Sequence, residues 1–435
     1  MSASATVPEG YKQTEIGVFP KDWEIKKFGD IFDFKSTASN SRSDLTETDE
    51  AHYIHYGDIH TIFHRHLDIS KQSTPRIDLS LCKNATRIRN GDWVMADASE
   101  DFSGICKAIE ISGIDEDKSV VAGLHTFLLR DRKEEYSPGF KGHLGEAKFL
   151  HDQYVRVSVG LKVFGVTKTS LRDLLIPVPP KTQQTRIEEI LTQADAQIQS
   201  FEHLIAKKRD IKQGAMQELL TGKTRLPGFS NEWNLILMPE ICWFQEGPGV
   251  RNTQFVSSGV KLLNGTNILE GQLYLERTDK YISKAEAYGG YSHFLASSGD
   301  IVIACSGVTI KNFHKKVAFV KEWHLPLCMN TSTMRFQPKK DKLSKEYLYQ
   351  YLTSKNFKEQ ISGKATGSAQ LNFGPSHVAK VRIKLPSLRE QKVIAEILSD
   401  MDAEIAALEE RLEKAKAIKQ GMMQQLLTGK IRLVD

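Results

Sequence analysis

The stretch KQGAMQELLTGKTRL, Lys212 to Leu226, returns 207 positions later as KQGMMQQLLTGKIRL, Lys419 to Leu433. The GKT in the first copy is not a phosphate-cradling loop. Such a loop needs an opening glycine where this chain has Gln217, and the second copy replaces Thr224 with Ile431. A glycine that follows a long helical pattern is the usual left-handed stop, and the lysine and arginine beside it suit a helix C-terminus. Gly222 and Gly429 therefore each mark the end of a helix.

The repeat is longer than this phrase. Ile176–Leu226 aligns without a gap on Ile383–Leu433, and roughly half the positions are identical. Upstream the likeness is fainter: RNGDWVMADAS (Arg89–Ser99) faces SSGDIVIACSG (Ser297–Gly307), and FPKDWEIKKFGDI (Phe19–Ile31) faces FSNEWNLILMPEI (Phe229–Ile241). The chain reads as two copies of one module, each a mixed globular segment followed by a long helix. The expected class is α+β, with globular domains over 1–178 and 225–385 and helices over 179–224 and 386–435.

Prolines precede both helices (Pro179, Pro180, Pro386), and Thr185 with Glu188 and Ser387 with Glu390 have capping-box spacing. Along the first, Ile187, Leu191, Ala194, Ile198, Phe201, Ile205 and Lys208 alternate steps of four and three. Ile394, Leu398, Met401, Ile405, Leu408, Leu412 and Ala415 do the same along the second. A helix of about 40 residues runs about 60 Å, and so long an apolar stripe needs a partner. The other copy is nearest. The expectation is an antiparallel coiled coil about a pseudo-twofold axis, separating the two globular domains, with Phe201 and Lys208 opposite partners of the Leu408 and Ala415 type. The globular segments carry short β-rich runs such as HYIHYGDI, GDWVMA, GDIVIA and KKVAFV, broken by Gly, Asn and Asp turns.

Composition bounds the function. The chain of 435 residues is 40% hydrophobic and 26% charged with net charge +5, which permits a nucleic-acid partner without requiring one. Five scattered cysteines without a C-x-x-C suggest neither a disulfide framework nor a zinc ribbon. The N-terminal segment lacks a basic-then-apolar leader pattern, and no apolar run reaches the length of a membrane span, so a cytoplasmic protein without membrane partners is expected. No amino-methyltransferase motif, glycine-rich S-adenosylmethionine loop, helicase motif or nuclease carboxylate cluster is present. The histidine-rich run His52–His66 matches no zinc-ligand spacing, so no metal is expected.

The segment YKQTEIGVFPKDWEIKKFGDI, the helix openings IPVPPKTQQTRIEEIL and KLPSLREQKVIAEIL, and the twin QLLTGK-type endings resemble the specificity subunits of type I DNA restriction-modification systems. The first opening, PPKTQQ, departs from the P-x-x-E-Q that PSLREQ keeps. The resemblance implies two target-recognition domains, each reading half of an interrupted site on double-stranded DNA, with the paired helices as the spacer. It also implies two methyltransferase subunits and two restriction-translocase subunits as partners, which would bring S-adenosylmethionine, ATP and Mg2+. This chain would bind no cofactor and catalyse nothing. Candidate DNA contacts in the first domain are Lys35, Ser41, Arg42, His55, Tyr56, His60, Arg65, Arg87, Arg89 and Asn90. Those in the second are Arg251, Asn252, Gln254, Asn264, Asn267, Lys311, Asn312, Lys315, Lys316, Lys364, Gln370 and Asn372. Arginine, asparagine and glutamine can pair with base edges, and lysines hold phosphates. The competing reading is a coiled-coil scaffold without DNA readout.

Overall fold

The computed structural model describes residues 7–362 and 370–433. Two long helices dominate it, a central one over Lys181–Leu219 and a C-terminal one over Leu388–Leu426. The chain divides into two units. One holds everything up to Phe201 together with the segment from Arg411 onward, and the other holds Glu202–Glu410. Each unit thus contains a globular domain, the first half of one long helix and the second half of the other.

In the first unit a five-stranded sheet runs in the order Phe32–Lys35, Thr126–Asp131, Trp93–Ala96, Ala108–Ser112, His66–Asp68. Beside it, Ser119–Ala122 lies parallel to Ala51–Ile54, which pairs antiparallel with Arg76–Ile77. The second unit repeats the plan with one strand fewer. Its four-stranded sheet is Cys242–Glu246, Thr333–Pro338, Ile301–Ala304, Val317–Phe319, and its parallel pair joins Val260–Leu263 to Leu327–Met329. The strand Leu175–Val178 that leads into the central helix pairs with Glu24–Lys27, and Arg382–Leu385 before the other helix pairs with Asn234–Leu237. An α+β class with an internal repeat is what the sequence called for.

Matching residues 207 positions apart hold the two helix starts. The amide of Gln184 donates to the Pro179 and Glu135 carbonyls, and its oxygen accepts from the Ser137 N–H at 2.7 Å. Gln391 does the same with Pro386, Lys342 and Ser344. Both amides are fully buried, so each start is welded to its own domain. The capping boxes differ from expectation. Thr185 lies inside a helix that already begins at Lys181, and its hydroxyl donates back to the Lys181 carbonyl. Ser387 accepts from the Glu390 N–H at 3.4 Å, but the Glu390 carboxylate is engaged elsewhere, receiving Arg225 in a fork of 2.9 Å bonds and the Trp233 indole.

That carboxylate explains the twice-written phrase. The last turn of the central helix stops at Gly222 in the left-handed region (φ 70°) against the Trp233 ring, and Arg225 reaches Glu390. The C-terminal helix stops at Gly429 (φ 65°) against Trp23 and Pro20, and Arg432 reaches Asp22 at 2.5 Å. Here Gln183 replaces the glutamate and accepts from the Trp23 indole. The sequence departure PPKTQQ thus moves the anion from the helix to Asp22, in the turn between the strands Gly17–Pro20 and Glu24–Lys27. Each phrase is a plug that seats a helix end on a domain.

The seam divides in two. Ile187 and Leu191 belong to the core of the first domain, and Ile394 and Leu398 to that of the second, so these turns pack on their own domains. Beyond them the helices pair antiparallel within each unit. Asp195 meets Lys419 at 2.5 Å in the first unit; Asp402 meets Lys212 at 2.5 Å and Glu404 meets Lys208 at 2.6 Å in the second. Ile205, Ile405, Leu408 and Leu412 are buried, and Ile198 and Met401 half-buried. The register corrects two expected pairings: Phe201 lies under the Arg411 guanidinium, 5.1 Å from its ring centre, and Lys208 faces Glu404. Antiparallel helices bring together residues whose numbers sum to a constant, which repeat-equivalent pairs do not.

Candidate nucleic-acid interface

The candidate side chains lie on short helical turns and in loops as well as beside strand ends. In the first unit the strand Ala51–Ile54 runs into His55, whose Nδ1 accepts from the Gly57 N–H and so caps the short helix Tyr56–Thr61. His55 is buried, which pushes its pKa down, with the nearby Arg42 charge adding to the shift. Tyr56 stands beside it, ring centres 4.6 Å apart, and meets His60 and His125 edge-on. His60 is tied at Nε2 to the Ala98 carbonyl, 2.9 Å away. Arg42 is half-exposed, pairs with Asp58 at 2.6 Å, and lies 3.4 Å from His55.

Other candidates in this unit fall into two groups. Arg87 and Arg89 are exposed, and among the described residues neither side chain has a salt bridge. Lys35 pairs with Asp33 on its own strand, Ser41 with Asp44 and Ser43 in a short helical turn, and Asn90 clamps the backbone of Ile114 through both amide atoms, so all three are engaged within the domain. Arg65 is placed differently from expectation. It bridges Glu146 at 2.9 Å and Asp195 at 2.6 Å with its side chain 18% exposed, so it anchors the central helix to the domain. Within the run His52–His66, His52 is buried against Thr74, and the buried Tyr53 donates to the Asn40 carbonyl.

In the second unit Arg251, Asn252, Lys311 and Asn312 are exposed. Asn264 accepts from Asn330 at 2.9 Å and lines a polar cleft of about 290 Å³ with Thr266, Lys280, Ser306 and Ser332. Lys315 pairs with Glu270, Lys316 donates to the Gly265 carbonyl at 3.3 Å, and Asn372 accepts from Ser306 and the Gly307 N–H. Gln370 is exposed on a short strand. Two expected contacts are internal instead. Asn267 is 2% exposed and braces its own turn through the Asn264 N–H and the Tyr274 carbonyl, and Gln254 is held by Glu286 and Tyr291. Lys364 lies outside the described residues.

Sequence reasoning passed over Asp97 and His125. His125 holds a left-handed backbone (φ 56°) that only three other non-glycine residues share among those described. Its Nδ1 lies 3.3 Å from the Asp97 Oδ1, a buried oxygen that makes no aligned hydrogen bond. Burial pushes the Asp97 pKa up, and His125 opposes the shift. No periodicity marks such a pair, because the two residues meet only when their strands pair at Ala96 and Thr126.

One sheet plan, used twice, with different exposed polar side chains in the two units and halves of both long helices built into each, defines a duplicated recognition protein. Comparison with known proteins gives the family. The type I restriction modification DNA specificity domain matches residues 20–207 and 251–417, and the chain belongs to that family, with a DNA sequence-specificity role. The type I restriction enzyme MjaVIII specificity subunit of Methanocaldococcus jannaschii is 24% identical over 98% of this chain and 96% of its own. The putative MjaX specificity subunit of the same organism is also 24% identical, over 98% and 97%. Among solved structures, one of a study of complex assembly and conformational transition of the type I R-M system aligns with TM-score 0.61 at 17% identity, covering 95% of this chain and 99% of that one. The S subunit from M. genitalium aligns with TM-score 0.51 at 13% identity, covering 93% and 96%. No helix among the described residues is long and apolar enough to cross a membrane.

Proposed function

We propose that this chain reads a bipartite, interrupted sequence on double-stranded DNA, one half-site per unit, and carries out no chemistry itself. The repeat of one sheet plan with different exposed side chains supports this reading: like folds give like placement, and unlike side chains give unlike base preference. The chemistry belongs to partners, two methyltransferase subunits supplying S-adenosylmethionine and two ATP- and Mg2+-dependent restriction-translocase subunits. Access to genomic DNA puts this work in the cytoplasm. Contacts assigned to the first half-site centre on Arg42, Tyr56, Arg87 and Arg89, and those to the second on Arg251, Asn252, Asn264, Lys311 and Asn312.

Titrating the chain with duplex DNA at rising salt tests the reading. Phosphate contacts release counterions, so log affinity falls linearly with log salt, by about 0.9 per phosphate neutralised. A chain with no salt-dependent DNA affinity, alone or with its methyltransferase, would be a scaffold instead. The isolated chain is expected to show no methylation, ATPase or nuclease activity, and to support adenine methylation once its partner is added.

A further inference from the structure

The two units place different chemistry at one structural position. In the first sheet Thr126 pairs with Ala96, and the next residue outward on each strand is His125 and Asp97, joined by the Asp97 N–H donating to the His125 carbonyl at 3.1 Å. In the second sheet Thr333 pairs with Ala304, and the next residues are Ser332 and Cys305, joined by the same backbone bond at 2.9 Å. The neighbouring strand ends match as well, Ile54 leading to Tyr56 where Leu263 leads to Gly265. One unit therefore presents a raised Tyr56–His125 pair over a buried carboxylate. The other presents a cleft, where the Gly265 N–H donates to the Ser332 hydroxyl at 2.9 Å.

Resting on the DNA-reading function proposed above, we infer that His125 is a base-reading residue of the first half-site and that Asp97 is the positioning residue that orients its ring. Three observations converge. The backbone strain at His125 is of the kind that persists where geometry serves a function, since a non-glycine residue at φ 56° is disfavoured. Its side chain is half exposed, while the facing Asp97 oxygen is buried and short of an aligned partner. The edge of Tyr56, 5.4 Å from ring centre to ring centre, limits how the imidazole turns. A small turn of the neutral ring brings its Nδ1–H onto the carboxylate 3.3 Å away and leaves Nε2 as the acceptor. An acceptor at this place selects a base that offers an exocyclic amine in the major groove, adenine or cytosine. The matched residue Ser332 is shorter, and its hydroxyl, which accepts from the Gly265 N–H, can donate as well as accept, so it does not make the same selection and gives the second half-site a different preference from the same fold.

The test is to map methylated sites in cells carrying the full chain with its methyltransferase, as wild type, as His125→Gly and as Asp97→Asn. Glycine relieves the left-handed strain, so His125→Gly is expected to match or exceed the wild-type Tm. It should relax preference at a single adenine or cytosine position of one half-site, on the order of tenfold, and leave the other half-site and the gap unchanged. Asp97→Asn should relax the same position more weakly. An unchanged motif in His125→Gly overturns the inference. So does relaxation at a guanine or thymine position, or an effect on both half-sites at unchanged Tm. A wild-type complex that yields no interrupted motif overturns the DNA-reading function, and this inference with it, and is thereby told apart from failure of the inference alone.

Discussion

His143 shows how a single side chain couples this fold to pH. It is fully buried, its Nε2 lies 3.2 Å from the Thr192 hydroxyl on the central helix, and its pKa is pushed down to about 2 by burial, with His66, Arg65 and Lys419 adding repulsion. The unfolded chain takes up a proton here below about pH 6.5, and the folded chain refuses it. The contribution is complete above that pH and is lost on acidification, at up to about 1.4 kcal/mol per pH unit. The repeat supplies a conservative replacement, because the matching position carries Gln350, whose amide donates to Asp402 at 3.0 Å. His143→Gln should fold and flatten the fall in denaturation midpoint between pH 6.5 and 5. An unchanged slope would place the acid sensitivity elsewhere. Glu390 makes the contrasting case: its carboxylate is 1% exposed and takes three bonds from Arg225 and Trp233. Glu390→Ala strands the guanidinium and should cost about 3 kcal/mol in denaturant titration. Gln183→Ala, which removes a neutral acceptor from Trp23, should cost about 1 kcal/mol.

Among the elements, the helices were the legible part. Their existence, their ends at the two glycines and the apolar stripe are written in a period that survives without tertiary context. Their partners were not. Ile187, Leu191, Ile394 and Leu398 satisfy a coiled-coil pattern yet pack into the cores of their own domains, since a stripe of apolar residues does not say what covers it. Arg65 and Asn267 looked like free polar groups and proved to be internal braces, because burial is decided by strands far away in sequence. The Asp97–His125 pair was invisible for the same reason. The helices also carry a prediction. Asp195 with Lys419 and Asp402 with Lys212 fix the antiparallel register in each unit. Inserting four residues after Leu204 and four more after Arg411 adds about one turn, roughly 6 Å, to both helices between these pairs. The recognised gap should lengthen by about two base pairs. The insertion after Leu204 alone should lower Tm, because one helix then outruns the other. A gap that ignores the double insertion would mean that the helices do not set the spacing.

The whole molecule follows from duplication. The C-terminal plug that closes the first unit uses Lys419, Leu426, Leu427, Gly429, Arg432 and Leu433, and the central helix carries the same residues at Lys212, Leu219, Leu220, Gly222, Arg225 and Leu226. A chain cut after Pro227 therefore holds a domain and a plug that fits it. Two such chains should exchange plugs in an isologous dimer, which sizing by light scattering would detect, and that dimer should direct methylation to an interrupted palindrome. Independent reading by the two units is tested by methylome sequencing of cells carrying the methyltransferase with either the native chain or one in which Phe28–Leu175 is replaced by the matching segment of a relative. The expected result is an interrupted motif whose one half changes while the other half and the gap stay fixed. A motif that changes in both halves, or that has no gap, would contradict it.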